Sequence, residues 1–269
     1  MGIKRCPRDR FSSRVQVEVA HPRANPHDPS DHALNAAHTM VEEHVIDQML
    51  ESGPESWASS DLLHRMLGST IEYIEGDLGQ VLKGDTKQGR NVVRVFAAAM
   101  RKLGPRLARP GTVNPRVLRQ VWDEGCYCED PITAEYLGGL LAAGRTTLGR
   151  DDRAVPFIRM VRQLSVFDIR LHFLFYTLFR QHYTKNPVDL GSRTDRKRSF
   201  IFVPLAVYQG AIAEQSNSSG HLPAIVDQAI QSLTSRRLLG DDYVVGPARF
   251  LSRGYPGVRE SGFFLYRSE

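Results

Sequence analysis

Cysteine is scarce in this chain: Cys6, Cys126 and Cys128 are the only three in 269 residues. An odd trio gives no disulfide framework and suits a reducing compartment, so a cytoplasmic location is expected. Long apolar runs are also missing. The longest, Phe173 to Phe179, contains Thr177 and ends at Arg180, far short of the roughly 20 apolar residues that span a bilayer. No membrane span is expected. After Met1, the charges of Arg8, Asp9 and Arg10 stand where a signal peptide would carry its apolar stretch, which argues against secretion. The motifs of common catalysts are absent too. There is no Gly-X-X-X-X-Gly-Lys phosphate loop, no Gly-X-Gly-X-X-Gly, no Gly-X-Ser-X-Gly nucleophile elbow and no His-Glu-X-X-His. The chain therefore reads as a non-enzyme without a cofactor.

What is present is a helical pattern and an excess of arginine. Lys plus Arg exceed Asp plus Glu by 35 to 30, a net charge of +5, which permits contact with nucleic acid or an acidic protein without requiring it. Residues 1–30 hold Pro7, Pro22, Pro26 and Pro29 among scattered Arg and His and read as an N-terminal arm. Residues 31–110 read as an N-terminal helical region. Leu34, Ala37, Val41, Val45 and Met49 recur at helical spacing; Leu63, Met66, Leu67, Ile71, Ile74, Leu78 and Val81 follow, with Gly68, Gly76 and Gly79 inviting a break. A third stripe runs through Val92, Val93, Phe96, Ala99, Met100 and Leu103.

Residues 111–182 read as a helical core. Asn114-Pro115 caps a helix reaching Gly125, and Asp130-Pro131 opens another in which Gly138, Gly139, Ala142 and Ala143 leave room for a neighbouring backbone. Asp151 to Leu164 reads as the next helix, carrying Phe157, Val161 and Leu164. Ser165 and Asp168 form a capping box for the one after it, whose apolar Leu171 to Phe179 is expected at the centre of the core. Residues 183–269 begin with a basic loop, then pass through Phe200 to Tyr208, a helix over Pro223 to Leu233, and strands over Tyr243 to Val245 and Gly262 to Tyr266. A helix followed by two strands with a long connecting loop outlines a winged-helix-like module. The expected fold is mainly α: a multi-helix bundle with a small winged-helix-like α+β C-terminal module.

One segment carries a family resemblance. Val113-Asn114-Pro115-Arg116-Val117-Leu118 leads through Trp122 to Asp123-Glu124 and on to Glu129-Asp130; Tyr136-Leu137-Gly138-Gly139-Leu140-Leu141-Ala142 follows, then Phe157 to Ser165 with Gln163-Leu164-Ser165 and Asp168. A proline-started helix ending in an acidic turn, a helix ending in Leu-Leu-Ala and a helix closing on Gln-Leu-Ser-X-X-Asp resemble the Abi-alpha (abortive infection alpha) family of prokaryotic phage-defence proteins. The ending through Leu233, Arg236-Arg237-Leu238-Leu239 and Gly262-Phe263 is similar to that family's closing helix and wing. The Gly138-Gly139 pair departs from the larger residues of the pattern, and the first 110 residues carry nothing that matches it. The resemblance implies antiviral defence, often by shutting down the infected cell. It carries no catalytic residues over.

Four kinds of candidate site are weighed. Cys126-Tyr127-Cys128 beside Glu129 and Asp130 lacks a second Cys/His pair at zinc spacing, so one buried and one turn cysteine are expected, and no metal. His21, His27, His32, His38 and His44 crowd the N-terminus, but His38 and His44, six apart, fall on different helix faces, and solvated histidines are expected. Basic clusters are the stronger signal: Arg193, Arg196, Lys197 and Arg198 in a loop, Arg236 and Arg237 at a helix end, and Arg249, Arg253 and Arg259 in the wing, with Tyr255 near them. These are the nucleic-acid-binding candidates, since in a winged helix they would reach phosphates. Trp57, Trp122, Tyr127, Tyr136 and Tyr208 are candidate anchors of a protein interface. The favoured role is a sensor or adaptor that binds a phage component or partner protein; the alternative is a DNA-binding regulator or phage-DNA sensor. Homo-oligomerisation is left open.

Overall fold

A computed structural model describes residues 61–83, 85–185, 200–213, 222–239, 243–254, 258–259 and 261–266. The N-terminal arm, the first expected helix, Trp57, the five histidines, the Arg193–Arg198 loop and Tyr255 lie outside the described residues. The described part is mainly helical, with ten α-helices and a small antiparallel sheet. No helix in it is long and apolar enough to cross a membrane. It divides into two compact units, one ending at Arg170 and one beginning at Leu171.

The first unit opens with α1 (Asp61–Leu67), a 3₁₀ segment (Gly68–Tyr73) and α2 (Glu75–Val81). The expected break is therefore real and sits at Gly68, whose φ of 64° is left-handed. Leu63, Met66, Leu67, Ile71, Ile74 and Leu78 stay buried through the break, because the 3₁₀ turn keeps the apolar positions on one side. Next comes α3 (Lys87–Leu103), whose N-cap Thr86 accepts a hydrogen bond from the Gly89 amide at 2.9 Å. Val92, Val93, Phe96, Ala99, Met100 and Leu103 are all buried, as the spacing predicts.

A two-residue strand, β1 (Thr112–Val113), leads into α4 (Pro115–Gly125), and α5 (Pro131–Ala143) follows. Both caps are those expected: Asn114 accepts from Arg116 N at 2.9 Å and Asp130 from Thr133 N at 2.8 Å. α5 lies directly on α3. A Cβ at Gly138 would stand 2.8 Å from the Ala99 amide nitrogen and the Val95 carbonyl oxygen, so the two backbones can approach this closely only without a side chain there. Strand β2 (Arg145–Thr146) pairs antiparallel with β1. Then α6 (Val155–Arg162) is shorter than expected, and Phe157 is 55% exposed. Val155, Ile158 and Val161 of the same helix are buried. The Ser165–Asp168 capping box opens α7 (Val166–Lys185), with Ser165 N donating to Asp168 at 2.9 Å and Asp168 N to Ser165 Oγ at 3.1 Å.

The apolar run of α7 is not the centre of the core. Leu171 and Phe175 are buried, but Tyr176 is 57% exposed and Phe173 is exposed too. An all-round apolar sequence presents more than one face, and only one of them is covered. The most buried helix is α3.

In the second unit β3 (Phe200–Pro204) runs straight into α8 (Leu205–Ala213), and α9 (Leu222–Ser235) and β4 (Tyr243–Gly246) follow. Pro204, which interrupts the apolar stretch from Phe200 to Tyr208, ends the strand, and the rest of the stretch is helix. A short helix, α10 (Ala248–Gly254), sits between β4 and β5 (Gly262–Tyr266), where a loop was expected. The sheet order is β3-β5-β4, antiparallel throughout, with Val203 opposite Phe263 and Val245 opposite the same residue. Val203, Tyr208, Val226, Ala229, Ile230, Leu233 and Leu251 are buried in this unit.

Candidate functional site

Two surfaces stand out, one in each unit. In the first unit a groove of about 700 Å³ is lined by Asp77, Gln80 and Val81 from α2 and its approach, Gln88 from α3, Arg119, Trp122, Asp123 and Glu124 from α4, Cys126 and Tyr127 after it, and Arg162 from α6. Its charges are tied together. Arg119 reaches Asp77 at 2.6 Å and Asp123, one helical turn away, at 3.0 Å, while Arg162 holds Glu124 at 3.0 Å. The hydrogen bond that Arg119 donates to Asp77 raises the Arg119 pKa above its ordinary value. Carboxylates held by guanidinium groups are poor general bases, because the ion pair favours the charged, unprotonated state and occupies its lone pairs.

The thiol in this groove is equally quiet. Burial raises the Cys126 pKa, and it pushes Cys128 up to about 11, where the nearby carboxylate of Asp130 adds to the effect. Both cysteines are buried, and Cys126 also sits in the turn that follows α4. Cys128 lies within the turn but points inward, Sγ to Asp130 O at 3.5 Å. Among the described residues no group of His, Cys, Asp and Glu is arranged to hold a metal.

Of the candidate interface aromatics among the described residues, Trp122 and Tyr208 are core residues, Tyr136 is half-buried and Tyr127 is on the surface, 77% exposed at the edge of the groove. Trp122 forms the floor, its ring tilted against Phe96 at 6.2 Å between centroids. Tyr127 is presented by the turn that closes α4, where Cys126 and Cys128 point inward on either side of it.

The second surface is basic. Among the described residues after Arg170 there are seven Lys and Arg but one carboxylate, Asp227. Arg249 and Arg253 are exposed on α10, Arg259 is exposed between α10 and β5, and Arg237 is exposed just beyond α9. None of these four is in an ion pair among the described residues. Arg236 is half-buried and folds back on α9, its Nη1 donating to Ser232 Oγ at 2.9 Å. Arg237 has a φ of 59°. Leu238 N donates to Leu233 O at 2.9 Å and Arg237 N to Thr234 O at 3.0 Å, so Arg237 occupies the left-handed position that ends a helix and usually holds glycine.

Comparison with protein-family models, with curated proteins and with solved structures returns no match.

Sequence reasoning missed a polar side chain that ties several segments of the first unit together. Arg145, in β2, donates to four main-chain carbonyls: Met66 at 3.0 Å, Arg65 at 2.9 Å, Arg106 at 3.1 Å and Arg109 at 2.7 Å. These carbonyls lie where α1 and the 3₁₀ segment Gly104–Ala108 end, and that of Arg106 also accepts from Arg109 N at 3.1 Å. Nothing local to Arg145 marks it, because its partners lie up to 80 residues away.

Proposed function

We propose that this chain is a non-enzymatic component of prokaryotic antiviral defence, a sensor or adaptor that binds a phage component or a partner protein through the groove of its first unit. The observation that carries the binding half is the exposed Tyr127 beside a groove whose carboxylates are already held by Arg119 and Arg162. An exposed tyrosine beside arginines over an aromatic floor has the composition of an interface hot spot. The antiviral half rests on the Abi-alpha resemblance. Its α4, α5 and α6 segments all fall within that first unit.

The test is phage plating efficiency on a host expressing the chain, against an empty vector and against Tyr127→Ala with Arg119→Glu. The wild type should lower plating by orders of magnitude and the double variant should restore it. Full protection by a stably folded double variant would remove the groove from the mechanism. Unchanged plating with the wild type, alone and with its genomic neighbours, would remove the defence role.

A second reading, a DNA-binding winged-helix-like regulator or phage-DNA sensor, is favoured by the second unit. Its antiparallel sheet of order β3-β5-β4, with α8 and α9 between β3 and β4, supports this reading. Arg237, Arg249, Arg253 and Arg259 are its exposed cations. Binding to DNA that weakens steeply with salt would support this reading, and no binding at low salt would end it.

A further inference from the structure

We infer that the second unit grips duplex DNA by its phosphate backbone through α10, without reading base sequence through α9. The inference rests on the second reading above and adds which element makes the contact and what it recognises. In a helix-turn-helix module the helix corresponding to α9 enters the major groove and reads base edges. The solvent stripe of α9 is poorly suited to that task. Its exposed residues, Ala224, Asp227, Gln228, Gln231 and Ser235, carry one carboxylate and no cation. Asp227 would meet phosphate with like charge, and Arg236 is drawn back onto Ser232.

α10 has the opposite design. Leu251, 1% exposed, pins it to the unit, and its first turn closes on Pro247 O through Phe250 N at 2.9 Å and Leu251 N at 3.1 Å. Arg249 and Arg253 lie one turn apart on the side away from Leu251, both exposed. A helix anchored by one leucine therefore presents two guanidinium groups to solvent with no carboxylate between them. Protein interfaces deplete charge at their centre and surround it with residues of both signs. An exposed arginine pair with no ion-pair partner among the described residues fits a polyanion better. Phosphate contacts of this kind fix position without specifying sequence.

The test uses the full chain and fluorescence anisotropy with two short labelled duplexes of unrelated sequence. The wild type should bind both with affinities within about 3-fold of each other, since phosphate contacts carry no sequence information. Arg249→Gln with Arg253→Gln should reduce the slope of log affinity against log salt by about 2 and weaken binding about 10-fold. Arg249→Lys with Arg253→Lys should keep most of the binding, which separates charge from folding. Gln228→Glu with Gln231→Glu on α9 should change affinity by no more than about 2-fold if α9 stays clear of the duplex. Loss of binding in the α9 variant with retention in the α10 variant would overturn the inference and leave the DNA reading standing. Absence of any wild-type binding at low salt would overturn both. Displacement of DNA by polyglutamate at equal charge would overturn phosphate recognition and point to an acidic protein instead.

Discussion

In the first unit Lys87, Arg90, Arg101, Lys102, Arg116, Arg119, Arg153, Arg162 and Arg170 each lie within ion-pair distance of a carboxylate, and Arg145 takes up four carbonyls. In the second, Arg237, Arg249, Arg253 and Arg259 have no such partner among the described residues. The same residue type does two jobs. Where arginine is answered from within the chain it holds helices together, and where it is not it is available to something outside. Among the described residues the ion pairs therefore lie in the first unit, and these four cations of the second have none. The comparison gives a rule that can be broken: removing an answered cation should cost stability, and removing an unanswered one should not.

The largest cost is expected at Arg170, 7% exposed, which donates to Asp130 Oδ1 through Nε at 3.0 Å and Nη2 at 2.8 Å. Asp130 also caps α5 through its other oxygen, so one carboxylate joins the first turn of α7 to the start of α5. Arg170→Ala should lower the unfolding free energy by about 4 kcal/mol in urea, because it leaves a buried carboxylate without its counter-charge. The double variant with Asp130→Ala should cost less than the two single changes added together. A single-variant loss under about 1 kcal/mol would mean that water reaches the pair and that burial does not separate the two units' arginines.

Arg145 comes next. Arg145→Ala should cost about 3 kcal/mol, since four carbonyls at two segment ends lose a charged donor but stay partly open to water. Arg145→Lys should recover little of it, because one ammonium on a flexible stem cannot serve four acceptors set around a planar fork. Thermal melts of both variants check this. Full recovery by lysine would show that charge, rather than the geometry of the fork, closes those segments.

Much of the scaffold was legible before any coordinates. Asn114-Pro115, Asp130-Pro131 and Ser165 with Asp168 announce three helix starts because caps are local chemistry, settled within four residues. Gly138 is legible for a related reason: small residues on an otherwise apolar helix mark a close approach, and α3 is what approaches. Gly139 was legible only in kind, since a Cβ there would touch the flexible Lys102 side chain at 3.3 Å rather than backbone. Elsewhere the sequence offered no local signal. Phe157 reads as core from hydrophobicity, yet it is exposed. The run from Leu171 to Phe179 reads as central because composition cannot say how many sides of a helix are covered. α10 hides in a stretch with arginine and glycine, too short for periodicity to show. The groove could not be anticipated, because it brings together residues from α2, α3, α4 and α6. Of its members Trp122, Tyr127 and Cys126 were weighed as candidates, each for a different reason and none for a groove.

A gentler version of the comparison uses pH. Asp151 pairs with Arg153 at 2.6 Å, and the side-chain and main-chain hydrogen bonds from Arg153 hold its carboxyl down at about 2, against an ordinary 3.8. A depressed folded-state pKa favours the native state above the ordinary value and loses that contribution as pH falls through the lower one. Followed by NMR, Asp151 should titrate near the lower value in the wild type and return towards the ordinary value in Arg153→Ala. Melting temperature should hardly respond, because the pair is solvated. An unchanged midpoint in the variant would assign the depression to the loop itself rather than to its arginine.

The smallest effect is the sharpest test of the contrast. Arg249→Gln with Arg253→Gln removes two charges from α10 but touches no partner among the described residues, so the unfolding free energy should stay within about 0.5 kcal/mol of the wild type. Loss of two unanswered like charges one turn apart could even raise it slightly, as repulsion between neighbours at that spacing is relieved. Measured beside Arg170→Ala in the same urea titration, the pair of variants reads the comparison directly. A loss at α10 comparable to that at Arg170 would show that these arginines are structural after all, and would take from the second unit the feature that separates it from the first. A null effect on stability joined to a lost salt slope in DNA binding would mean that what is unanswered within the chain is answered by phosphate.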